Sequence, residues 1–170
     1  MIKIDELRHL LEVPSLEERP QSLGIVRFDV HCHKNSDSVL QKSKEILEVI
    51  LRESTERWLT ENEWLAVLPS WFIEEFSPEK SDEENEEWLK RWRTLPLDEQ
   101  DRAVREDKWT LQNWLYWLHP EQREWFWWDG LVINTNLLRI AVEVSAHPFS
   151  WQALTWLFKA SGARDIQPEY

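Results

Sequence analysis

Glycine is nearly missing from this chain: Gly24, Gly130 and Gly162 are its only three in 170 residues. A loop that cradles phosphate through bare backbone needs several glycines within a few positions, so nucleotide-binding loops of that kind are excluded. Cysteine is scarcer still. Cys32 stands alone, which rules out an intramolecular disulfide and fits a reducing, cytoplasmic setting. No uninterrupted apolar run approaches the ~20 residues of a membrane span. The opening MIKIDELRHLLEV also lacks the apolar stretch of a secretory signal, so no membrane partner is expected. Positive charge is outweighed, with 20 Lys and Arg against 32 Asp and Glu and a net charge of −12. That balance provides no footprint for a phosphate backbone, and direct nucleic-acid binding is not expected. No serine sits in anything like a nucleophile elbow.

What the chain does have is tryptophan, thirteen of them. Several recur at helical spacing, as in Trp88/Trp92, Trp114/Trp117 and Trp125/Trp128. A ring so large and amphipathic belongs first in the core, and those left over are suited to lining a groove. The acidic charge is also uneven. Residues 53 to 107 hold 17 acids and 7 bases, a net −10. Such a run serves as a solvated set of helical faces or as a surface that steers a basic partner.

The clearest local design runs from Pro120 to Gly162. Residues 137–146 alternate, with Leu138, Ile140, Val142, Val144 and Ala146 on one face and Arg139, Ala141, Glu143 and Ser145 on the other, a strand period. The helix that follows repeats Phe149, Trp151, Leu154, Leu157 and Phe158, with Pro148 at or near its first turn and Gly162 as its C-cap. On it Trp151 should be buried and Trp156 less so. Residues 131–134 are extended before an Asn134-Thr135-Asn136 turn. The preceding WFWW either closes a helix begun at Pro120 or opens that strand. The tail after Gly162 is expected to be loosely held.

Earlier, residues 23–33 alternate between Val26, Phe28, Val30 and Cys32, which should face the core, and Arg27, Asp29, His31 and His33, which should not. Short helices are expected over 3–12 and 38–58, the latter reaching Trp58. Capping boxes at Thr60/Glu63 and Ser81/Glu84 open two more, Pro69 splits the first of these, and Asp98 should cap another. A helix ending at Pro120 completes the series. The expected fold is therefore α+β and a single domain over 1–170. A small antiparallel sheet of about three strands (23–33, 131–134, 137–146) is covered by helices, with a helical, acidic, Trp-rich segment 53–119 inserted between the first strand and the C-terminal β-β-α unit.

One stretch, FDVHCHKNSDS, has a chemical look. On a strand Asp29, His31 and His33 point the same way, about 7 Å between alternate residues. Two imidazoles and a carboxylate so placed suit a divalent metal such as zinc or manganese. DVHCHKNSD resembles the opening motif of the polymerase and histidinol phosphatase-like metal-dependent phosphoesterases, and by that resemblance His31 and His33 would be metal ligands. The resemblance covers about ten residues. It implies a barrel of β/α repeats with more ligands on later strands, whereas here the middle reads as successive helices. Downstream only His119 and His147 remain, each before a proline. His147 would approach His31 or His33 if strands 23–33 and 137–146 pair suitably, and Asp37 lies just past the turn. Cys32, on the inward face, is expected to be an inert thiol.

Lacking a complete catalytic set, the chain reads as a non-enzymatic protein-binding module, such as an inhibitor, immunity protein or adaptor. Its partner would be another protein, with a basic one as an option, engaged by an acidic, aromatic-rich surface, and a homo-oligomer stays open. The competing reading is a metal-dependent hydrolase at Asp29, His31 and His33.

Overall fold

The structure, a computed structural model, describes residues 3–78, 81–106 and 109–169. Glu79, Lys80, Asp107 and Lys108 of the acidic stretch and the terminal Tyr170 lie outside the described residues. The elements in order are α1 (Lys3–Leu11), β1 (Gly24–His31), α2 (Ser36–Glu53), α3 (Glu61–Val67), α4 (Ser70–Ile73), α5 (Asp82–Arg93), α6 (Leu97–Glu106), α7 (Leu111–Leu118), β2 (Trp125–Asn134), β3 (Leu137–Val144), α8 (Gln152–Ala160) and β4 (Asp165–Pro168). The fold is α+β, built on one antiparallel sheet of order β2-β3-β1-β4.

The sheet has one strand more than the alternation predicts. β4 comes from the tail expected to be loose, and it pairs with β1 in the register Phe28↔Pro168 to His31↔Asp165. Four residues are too few to show a period. Only Ile166, turned into the core, marks this as a strand. The WFWW ambiguity resolves as strand: Trp125 and Trp127 are fully buried while Phe126 and Trp128 are half-buried, the signature of period two. A bulge follows, since Trp127 pairs with Val142 but the next partner pair is Asp129↔Ala141, so Trp128 is the extra residue.

The inward faces agree with the alternation. Phe28, Val30 and Cys32 of the first stretch meet Leu138, Ile140, Val142 and Val144 of β3 in the core. α2 packs on β2 and β3, and α8 packs on β4 and α7. Gly130 is needed where α2 comes close, because a Cβ there would lie 2.8 Å from both Leu40 Cδ1 and the Trp127 ring. The other face of β3 is less open than a polar face should be: Ala141 and Glu143 are buried. The connection after α1 folds over Glu143, whose carboxylate accepts the Gln21 and Ser22 N–H groups at 2.6 and 3.0 Å.

Edge strand β2 is covered by α1. Glu6 accepts the Trp127 N–H at 2.9 Å, and His9 Nδ1 lies 3.0 Å from the Trp128 carbonyl. An open edge exposes just such unpaired groups. His9 Nε2 is 2.7 Å from Glu18.

Several boundaries differ from those the sequence suggests. α2 ends at Glu53 with Ser54 as its C-cap, where the Ser54 hydroxyl donates back to Ile50 O at 2.5 Å. Trp58 therefore lies in a connection instead of on the helix. α8 starts at Gln152 with Trp151 as its N-cap, so Pro148 precedes the helix and Phe149 is not on it. Asp98 falls inside the first turn of α6, which begins at Leu97. The Thr60/Glu63 box is reciprocal, whereas at Ser81 the side chain accepts from Glu84 N.

Candidate functional site

At the strand end the pattern delivers part of its promise. Asp29 and His31 share the outward face of β1, but the strand stops at His31, so His33 no longer follows the alternation. There the chain turns at Lys34, whose φ of 59° is left-handed. The turn is held by side chains: the His33 N–H donates to Asn35 Oδ1 at 2.8 Å and the Lys34 N–H to Asn136 Oδ1 at 2.9 Å. His33 is exposed.

Asp29 already has a cation. Arg139 Nε donates to its carboxylate at 2.9 Å and reaches Glu169 at 3.4 Å, and this hydrogen bond to Asp29 raises the Arg139 pKa. His31 Nε2 lies 4.0 Å from Asp165, a residue of the unforeseen strand. Strands β1 and β3 do pair, but antiparallel, with Gly24 opposite Val144 and His31 opposite Leu137. His147, just past Val144, therefore sits at the Gly24 end, roughly 24 Å of strand from His31. Asp37 is exposed in the first turn of α2. Among the described residues no group of three or more His, Cys, Asp and Glu is placed to hold a metal ion.

The strand-end cleft of about 480 Å³ is lined by His31, Cys32, His33, Lys34, Asn136 and Arg164. Cys32 itself is buried, which pushes its thiol up from the usual range and suits an inert role.

A second cleft, of about 430 Å³, lies between the α2–α3 connection and α7. Thr60 caps α3 and so sets Glu61 in its first turn. Thr110 caps α7 by accepting the Asn113 N–H, and α7 then presents Gln112, Leu115 and Tyr116 along one side. The early end of α2 leaves Trp58 free to turn its ring against Trp64 and His119, with centroids 4.8 and 5.2 Å apart. Glu121 and Gln122 complete the lining.

The electrostatics here are one-sided. Glu61 and Glu121 form no ion pair among the described residues, and Glu61 accepts only an amide hydrogen bond from Gln112. Arg57, four residues before Glu61, is spent on Glu63 at 2.6 Å, which holds that carboxyl down at about 2, and Arg123, two residues after Glu121, is spent on Glu6 at 2.6 Å. His119 Nδ1 accepts the Glu121 N–H at 3.1 Å, so that nitrogen is already engaged within the chain. The cleft thus offers aromatic faces and two uncompensated carboxylates. Aromatics beside acids were visible in the sequence. Which of the many would meet was not, because the Glu61–Gln112 contact spans 51 positions.

The third feature is the pair α5 and α6. No residue of α5 is buried, and Trp88 and Trp92 stack on each other at 6.2 Å instead of entering the core. The two helices are tied by reciprocal bonds, Trp92 Nε1 to Gln100 O at 3.1 Å and Gln100 Nε2 to Trp92 O at 3.0 Å. At the root of this hairpin a parallel bridge joins Ser77 to Thr110, so α7 begins where the hairpin ends.

Among the described residues no helix is long and apolar enough to cross a membrane. Compared with known proteins, the chain matches no family model, no curated protein and no solved structure.

Proposed function

We propose that the protein is a non-enzymatic binding module, an inhibitor, immunity protein or adaptor, that recognises a protein partner with a basic surface in a reducing cytoplasm. The observation that carries this reading is the α5–α6 hairpin. A helix of twelve residues with none buried contributes little to the core, yet its first turn is Asp82, Glu83 and Glu84, and Leu89, Leu97 and Val104 stand exposed along the pair. Acidic charge around apolar side chains suits an interface: the charge speeds encounter and the apolar groups hold the complex.

The test is affinity capture with the intact chain and with residues 81–106 replaced by a short Gly-Ser linker. The identified partner should be lost with the hairpin. Its association rate should fall as salt rises, and fall further when Glu83, Glu84, Glu86 and Glu87 become Gln. A partner bound equally well without the hairpin, or an on-rate indifferent to salt, overturns the reading.

A further inference from the structure

We infer that the cleft beside α7 receives an arginine side chain of the partner. This rests on the binding-module reading and names the chemistry that one part of the surface selects. The walls are Trp58, Leu115, Tyr116 and His119, and the acids are Glu61 and Glu121.

The cleft's charge sets the sign of the occupant. Two carboxylates without an ion pair repel an anion. An apolar occupant would strip water from them without compensation. A neutral sugar would stack on the same rings but leave both charges unmatched. A cation matches them, and the aromatic faces add attraction of their own. Between the two basic side chains, geometry favours arginine. Its planar guanidinium stacks on a ring while its fork of N–H groups reaches carboxylates at the edges, whereas an ammonium is a compact, strongly hydrated point charge.

The local cations cannot do this work in place of a partner. Arg57 is paired with Glu63, and Arg123, two residues beyond Glu121, is buried against Glu6. The Trp58 ring is also held in advance by Trp64 and His119, so less ordering is needed on binding.

The experiment is an NMR titration of the full chain, following the Trp58 indole N–H signal identified with Trp58→Phe. The probes are acetyl-Gly-Arg-Gly-amide, its lysine and citrulline counterparts, and methyl glucoside. The arginine peptide should shift Trp58 saturably and bind about tenfold more tightly than the citrulline peptide, the factor a charge-assisted contact supplies. Glu61→Gln, Glu121→Gln and Tyr116→Ala lie on the exposed rim, and each should weaken binding about three- to tenfold while circular dichroism stays unchanged. Equal binding of arginine and citrulline, equal binding of arginine and lysine, saturable binding of the glucoside alone, or no saturable shift at about 10 mM peptide each overturns the assignment. The hairpin replacement keeps the two readings apart, because it should leave arginine-peptide binding intact. If the peptide fails while hairpin-dependent capture persists, the cleft assignment alone falls. If the peptide binds but capture ignores the hairpin, the surface reading falls.

Discussion

Glu6 shows how much one side chain can hold in place. Its carboxylate meets both terminal nitrogens of Arg123 at 2.8 and 2.6 Å and also takes the Trp127 N–H. Arg123 in turn lies over the Trp125 and Phe126 rings, 5.6 and 4.8 Å from their centroids. Both charges are buried, so removing one strands the other. Glu6→Ala should cost about 3–5 kcal/mol by urea denaturation; a loss under 1 kcal/mol would mean water reaches Arg123. None of this was legible in the sequence, because the partners lie 117 positions apart and Glu6 looks like any acid on a short helix. The burial of Phe28, Val30 and Cys32 was legible, since alternation along one strand needs no knowledge of distant contacts. Glu63 gives a test in pH. Its carboxyl sits at about 2, lowered first by Arg57 and then by the Thr60 cap, against 4.5 ordinarily. A carboxyl depressed by folding stabilises fully above its unfolded value, and that contribution is lost as pH falls through the folded one. Carboxyl NMR should therefore place its midpoint near 2, and Glu63→Gln should flatten the loss of stability between about pH 4.5 and 2. A midpoint near 4.5 would show the Arg57 pair and the cap to be absent in solution.

At the scale of elements, the tryptophans separate by what surrounds them. Trp114 is fully buried and its Nε1 donates to Ala153 O at 3.0 Å, joining α7 to α8. Trp114→Ala should cost about 3–5 kcal/mol. Helical periodicity predicts a buried Trp151 and a more open Trp156, yet both are half-buried. Trp151 caps α8 and meets Phe28 at 5.2 Å, while Trp156 meets Phe76 at 5.9 Å. A second layer, contributed by the segment after α4, closes over the side of α8 that periodicity leaves open. The Trp156 Nε1 is buried without a hydrogen-bond partner, so Trp156→Phe should be neutral or slightly stabilising in thermal melts; a loss above about 2 kcal/mol would imply a donor role after all. The cleft was illegible for a related reason. Trp58 reads as the last residue of a helix until the α2 cap at Ser54 takes it off, and only then can it face His119.

Across the whole molecule the uneven charge becomes a measurable force. Of the net −12, residues 53–107 carry −10, while His31, His33, Lys34 and Arg164 gather at the strand-end cleft. Like charges concentrated on one part of a folded chain repel each other, and salt relieves that repulsion. Salt also weakens the exposed pairs Arg8–Glu18, Arg52–Glu48 and Arg57–Glu63, but pairs so open to solvent contribute little to stability. The buried Glu6–Arg123 pair is screened much less. With acids exceeding bases by ten in that one stretch, relief of repulsion should win. The thermal midpoint should therefore rise as ionic strength goes from about 10 mM to about 150 mM, where the screening length shrinks from roughly 30 to 8 Å. Changing Glu83, Glu84, Glu86 and Glu87 to Gln on α5 should raise the midpoint at low salt and remove part of the salt-induced gain. These four side chains are exposed and lie on an element with no buried residue, so the substitutions change charge and leave packing untouched. A midpoint that falls with added salt would mean the exposed ion pairs outweigh the repulsion. The acidic surface would then be locally balanced, and the steering of a basic partner would lose its physical ground.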